Sequence, residues 1–191
     1  MMKLYHTSAA IIEKPDIYYG RRNADFGGGF YLSDSHEFAA KWAGENTPHV
    51  NHYTLDLTGL SVREFTRDGA WFDYIANNRA GNRDNYADAD VIIGPIASDT
   101  LYDTYGIIFS GLLSDTDALR LLKVGDAYTQ INIKSEKAAA QLHWEGAETL
   151  IAAQIATARE TVKAEESAFR TLFEETLKSL SNYEEIEQIL G

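Results

Sequence analysis

Asp25-Phe26-Gly27-Gly28-Gly29-Phe30-Tyr31-Leu32-Ser33 decides how this chain is read. Three successive glycines allow a loop in which backbone approaches backbone closely, and Gly29 to Leu32 then reads as a short strand. The run lacks the Lys and Ser/Thr of a phosphate-cradling loop and precedes a strand, not a helix. Asp25-Phe26-Gly27 matches a kinase magnesium motif as a tripeptide alone, with nothing else of a kinase present. Upstream, Lys3 to His6 is a strand that runs into Tyr5-His6-Thr7-Ser8. Downstream, a helix is expected from Asp34, whose carboxylate caps the amide of Glu37. It places Phe38 and Trp42 four apart on one face and turns Trp42, eleven positions beyond Tyr31, back toward the strand that carries Tyr31.

Further strands are expected at His52 to Leu57, Asp90 to Ile93 and Tyr128 to Ile133. Helices are expected at Ala70 to Asn77, Ser98 to Ser110, Ser114 to Val124 and Ser135 to Leu142. The third has a Ser114/Asp117 capping box and Gly125 as its stop. No regular strand-helix-strand rhythm links these elements, so the fold class is α+β and not a doubly wound sheet. From about Glu148 neither Gly nor Pro occurs until Gly191, while Ile151, Ile155, Val162, Phe169, Leu172, Phe173, Leu177 and Leu180 recur at helical spacing. The expected organisation is a domain over 1–147 and a helical tail over 148–191. The tail's apolar stripe needs a cover: the main domain, a hairpin return near Ser179 to Asn182, or another chain, including a second copy in a homo-oligomer.

The chain's 191 residues suffice for one well-buried domain. With 29 acidic against 17 basic residues, net charge −12, it has no global positive field to hold a nucleic-acid backbone. There is no cysteine, so disulfide and thiol chemistry are excluded. The N-terminus lacks the apolar stretch of a signal peptide, and no apolar run approaches the ~20 residues that cross a bilayer. The expected location is cytoplasmic, without membrane association.

His6, Tyr31 and Trp42 together suit a dinucleotide that ends in a flat cationic ring. An imidazole both donates and accepts hydrogen bonds. Tyr and Trp offer ring faces with a polar tip, over which a desolvated cation gains roughly 1–2 kcal/mol. Arg21 and Arg22, in the loop before Asp25, are placed either to pair with a pyrophosphate or as solvated loop charges. His49 and His52 stand three apart with no Cys or third ligand nearby in sequence, so no metal site is expected. Asp90, leading a buried-looking strand, reads as structural. Gln130, on the strand from Tyr128, reads by itself as an edge polar residue.

Tyr5-His6-Thr7-Ser8, Asp25 to Ser33 and Trp42-Ala43 resemble, in order and spacing, the nicotinamide-binding motifs of diphtheria-toxin-like ADP-ribosyltransferases. The closer resemblance is to a bacterial domain family of that superfamily whose members are encoded beside small antitoxin-like partners. Ala89-Asp90-Val91-Ile92-Ile93-Gly94-Pro95-Ile96-Ala97 and Tyr128 to Ala138 fit its pattern, and the likeness covers Leu4 to Leu142. It implies an ADP-ribosyltransferase-like split β-sheet core with surrounding helices, and NAD as co-substrate. It also implies transfer of ADP-ribose to a macromolecular acceptor, protein before nucleic acid given the acidity, and a toxin role with a cognate antitoxin. By the same likeness His6 holds a ribose, the Thr7 backbone holds the nicotinamide amide, and Tyr31 and Trp42 bracket the ring. The residue aligned with the superfamily's catalytic Glu is Gln130. Its amide still accepts a ribose hydrogen bond but lacks the charge that stabilises an oxocarbenium-like transition state. Glu136, six residues on at a helix start, is a poor substitute. The alternative expectation is therefore an NAD- or partner-binding module with a degenerate site and little turnover.

Overall fold

The computed structural model describes residues 1–97 and 113–190. Seven strands occur in the order β1 (Met2–Ser8), β2 (Phe30–Ser33), β3 (His49–Leu55), β4 (Val62–Glu64), β5 (Val91–Pro95), β6 (Thr129–Ile133) and β7 (Leu142–Thr149). The described helices are α1 (His36–Lys41), α2 (Gly69–Arg79), α3 (Asp115–Leu122), α4 (Glu136–Ala140), α5 (Ala152–Lys178) and α6 (Tyr183–Leu190). The α+β class is as expected. All strands join one sheet in the order β4-β5-β6-β2-β1-β3-β7, antiparallel except for the β4–β5 pair. The expected helix over Ser98 to Ser110 lies outside the described residues.

Two compact units divide the chain: Met1–Pro95 with Tyr128–Val162, and Ile96–Ala127 with Lys163–Gly191. The first holds the whole sheet. Period-two alternation sends Leu4, Phe30, Leu32, Tyr53, Leu55, Val91, Ile131 and Ile133 to one face, where Ile17, Ala138 and Leu142 complete a core. On the opposite face α1 and the start of α5 cover β1 and β3 through Ala39, Ala43, Val50, Leu150 and Ile155. Farther along that face Phe26 stacks on Phe65 and on Tyr74 of α2. A strand buried on both faces cannot spare a polar side chain without a partner, which makes Gln130 and Asn132 of β6 informative.

Several boundaries differ from expectation, each for a local reason. α1 begins one residue later than Asp34 allows: the Ser35 hydroxyl accepts from the Phe38 amide, while Asp34 is exposed. Ser135, read as the first residue of its helix, instead caps α4, and the helix ends at Ala140 because Leu142 already pairs with Leu55. β4 has three residues on an outer edge and leaves little pattern to read. β7 carries no β-branched run, and its ladder shifts register between His52 and Tyr53 opposite Gly146, so it extends through the tail boundary placed at 148 without a strand signal.

In the second unit Ser114 caps α3 by accepting from the Asp117 amide and donating to its carboxylate, and the helix stops at Leu122, short of Val124. Phe169, Phe173, Leu177, Leu180 and Ile186 are buried, and α5 and α6 part at 179–182, the stretch where a hairpin return is expected. Ile151 and Leu172, counted in the apolar stripe, are exposed. Among the described residues no helix is long and apolar enough to cross a membrane.

Gly29 carries the tightest approach in the sheet. Its φ is +145°, and a Cβ there would meet the Asn132 Oδ1 at 2.0 Å and the Ile133 carbonyl oxygen at 2.6 Å. Gly81 shares a positive φ, +74°, but has nothing within 4 Å. Gly29→Ala is predicted to cost about 3 kcal/mol or more, strain and overpacking together. Gly81→Ala costs ~1–2 kcal/mol from strain alone. Urea unfolding of the two variants measures the difference.

Candidate functional site

β1 and β3 pair along seven positions and β2 and β6 along four, but β1 meets β2 in register at Tyr5↔Ser33 alone. Beyond that point the two central strands splay, and the His6 side chain bridges the gap. Its Nδ1 lies 2.7 Å from the Tyr31 carbonyl oxygen, and its ring packs 4.4 Å from that of Phe30. A carbonyl only accepts, so Nδ1 carries the proton and Nε2 is left as the acceptor. Burial lowers the His6 pKa below 6.5, against the opposing pull of the Tyr31 carbonyl. A neutral imidazole with Nε2 as its acceptor is the result.

Tyr31 leaves β2 toward the other face. Its hydroxyl donates to the Gly27 carbonyl at 2.7 Å and accepts from the Phe26 amide at 2.9 Å. Burial, then the nearby charge of Asp25, raises its pKa well above 10, so the phenol stays protonated. Tyr31 thus closes its own glycine turn, and other groups hold the same turn. Asn132 Nδ2 donates to the Phe26 and Gly28 carbonyls, Lys134 Nζ to the Phe26 carbonyl, and Asn78 Nδ2 to the Asp25 carbonyl.

Asp25 is the charged centre of this arrangement. Its Oδ1 accepts from Arg79 at 2.7 and 2.8 Å, and Oδ2 accepts from Gln130 Nε2 at 3.2 Å, with Asp25 and Gln130 each 7% exposed. Gln130 is therefore an interior residue of a central strand, not an edge residue. Its identity follows from its partner: the amide donates to the Asp25 carboxylate, where a Glu would set two carboxylates against each other.

Thr7 lies two positions past the β1–β2 contact, paired to Val50 on the β3 side, and its hydroxyl donates to the Ala39 carbonyl of α1. Trp42 caps the C-terminus of α1, 48% exposed, with an edge contact to Phe38. No ring contact joins Trp42 to Tyr31 among the described residues, contrary to the expected approach. Arg22 lines a cavity of about 510 Å³ with Gly28, Asn78, Arg83, Asp84 and Lys134. Arg21 is exposed and is not part of that lining. The structure thus joins His6 to Tyr31 through backbone and leaves Trp42 and Gln130 on separate contacts. Sequence reading missed Asp25, Arg79, Asn132 and Lys134 as the holders of the turn. One signal was available: Gln130 and Asn132 alternate with Ile131 and Ile133, which marks a polar face on an otherwise buried strand.

The lowered His6 pKa has a defined sign in stability. Below ~6.5 the unfolded chain binds the proton that the folded chain resists, so stability falls as pH drops through 6.5 toward the folded pKa. His6→Asn, whose amide mimics Nδ1, is predicted to remove this component. The wild type should lose up to ~1.4 kcal/mol per pH unit relative to the variant in urea melts between pH 7.5 and 5. An unchanged difference across that range contradicts a neutral, buried His6.

Comparison with curated proteins and with solved structures finds no match. A family model described as "Protein of unknown function (DUF3990)" matches residues 2–144, the sheet through the first residues of β7, and leaves α5 and α6 outside. With three quarters of its length matched, the chain belongs to the DUF3990 family.

Proposed function

We propose that this chain binds NAD at the splayed β1–β2 seam and transfers ADP-ribose to a macromolecular acceptor, acting as the intracellular toxin of a bacterial toxin–antitoxin pair. The observation that carries this reading is His6, a neutral imidazole set between two diverging strands with Nε2 free to accept from a ribose hydroxyl. The Thr7 backbone lies beyond the last β1–β2 pairing, which supports its reading as the holder of the nicotinamide carboxamide, and the exposed Trp42 ring offers a face to the cationic ring. Adjacency of β1, β2 and β6, the strands of His6, Tyr31 and Gln130, supports an ADP-ribosyltransferase-like core. In the reaction the bond from ribose C1′ to the nicotinamide nitrogen breaks, its electron pair leaves with nicotinamide, and an acceptor nucleophile bonds C1′ and loses its proton.

A second reading, a binding module with little turnover, is favoured by one contact. Gln130 spends its amide on Asp25, whose charge is in turn shared with Arg79. Under the first reading Gln130 orients the reacting ribose through its remaining carbonyl oxygen. Under the second it only completes the Asp25 cluster.

Calorimetric titration of NAD is expected to show saturable binding, weakened at least about tenfold, or ~1.4 kcal/mol, by His6→Ala and by Trp42→Ala. Absence of binding by the wild type at millimolar NAD overturns the transferase reading and NAD as the module's ligand. Turnover is then followed as nicotinamide release and as label transferred from NAD to lysate. Gln130→Glu alone is expected to lose about 1–3 kcal/mol of stability by facing Asp25. Asp25→Asn with Gln130→Glu restores the pair with the charge moved to position 130. Faster release by the swapped pair supports a transferase limited by Gln130, and binding without release in either protein supports the module.

A further inference from the structure

We propose that His36, His52 and Glu148 form a binding site for a zinc-class divalent cation, separate from the β1–β2 seam and independent of its proposed ligand. The three residues come from three elements: His36 opens α1, His52 lies in β3 and Glu148 in β7. His36 Nε2 is bonded to Glu148 Oε1, and His52 Nε2 lies 3.4 Å from the same oxygen. All three donor atoms fall within 4.8 Å of one another. Tetrahedral zinc with bonds of ~2.0–2.1 Å needs ligand atoms about 3.3 Å apart, so the ion enters by a small outward shift of side chains that already converge.

Sequence spacing hid this site. His49 and His52, three apart on a strand, project to opposite faces, and His49 is engaged with the Thr149 hydroxyl at 3.0 Å. The true partners of His52 come from across the sheet and from the following layer. Glu148 sits opposite Val50, diagonal to His52, in the segment next to the ladder shift at Gly146. Bulges of this kind re-aim side chains. The Tyr5 ring meets both imidazoles edge-on, with centroids 5.2 Å from each, and so limits their rotation.

The donor set selects the metal class. Two imidazoles and one carboxylate suit zinc and its neighbours, whereas calcium and magnesium require six or more oxygens or retained waters. The three side chains keep 43%, 36% and 38% of their surface, which leaves the fourth coordination position to water, the arrangement of open zinc sites. A bound ion would tie the first turn of α1 to β3 and β7.

Untagged wild-type protein titrated with cobalt(II) tests the assignment. The expected result is a visible absorption band of four- or five-coordinate cobalt that saturates at one equivalent, is displaced by zinc, and accompanies a rise in Tm. His36→Ala, His52→Ala and Glu148→Gln should each weaken binding beyond the 10–100-fold that loss of an outer-sphere partner costs, while His49→Ala leaves it unchanged. Circular dichroism confirms that each variant is folded. The proposal is overturned by absence of the band in wild type, by equal binding in folded His52→Ala, or by loss of binding in His49→Ala.

Discussion

Asp25 is a carboxylate buried under a glycine turn, and the organisation of the sheet's centre depends on keeping it satisfied. A charge so placed costs several kcal/mol unless paired and hydrogen-bonded. Arg79 from α2 supplies a countercharge and Gln130 from β6 a further donor. These contacts fix the end of α2, the middle of β6 and the start of the loop into β2 relative to one another. Asn132 and Lys134 extend the same fastening to the Phe26 and Gly28 carbonyls. β2 therefore starts from a turn defined on all sides.

That constraint reaches the seam through Tyr31. Its hydroxyl is committed to the turn and its carbonyl to His6, so the geometry of one loop sets the orientation of the imidazole on the neighbouring strand. The single contact between β1 and β2 leaves room for His6 to stand between them, and burial keeps it neutral. The proposed binding chemistry and the fold's stability consequently share residues here. Tyr31 in particular serves the turn through its polar tip, and a substitution that removes its ring also removes two hydrogen bonds to backbone.

Legibility in the sequence followed the range of the interactions. β1, β2, β5 and β6 were readable because alternation and β-branched runs are local, and the cap at Ser114 because capping spans three residues. β4 and β7 were not, since a three-residue edge and a strand with a shifted register carry no periodic signal. His6 and the glycine turn could be picked out as special residues. The partnership of Gln130 with Asp25, 105 positions apart, and the convergence of His36, His52 and Glu148 are products of topology, which spacing along the chain does not report. Gln130 read in sequence as a lost catalytic charge. In the fold it is the residue that Asp25 requires.

Hydrogen–deuterium exchange with and without NAD measures the central claim most directly, because it reports where the ligand acts as well as whether it binds. Saturating NAD is predicted to slow exchange in residues 5–8, 29–33 and 39–43, the splayed strands and the end of α1, and to leave α6 unchanged. Unaltered exchange across the β1–β2 seam, or protection confined to other parts of the chain, would contradict the assignment of His6 and its neighbours to a nicotinamide dinucleotide.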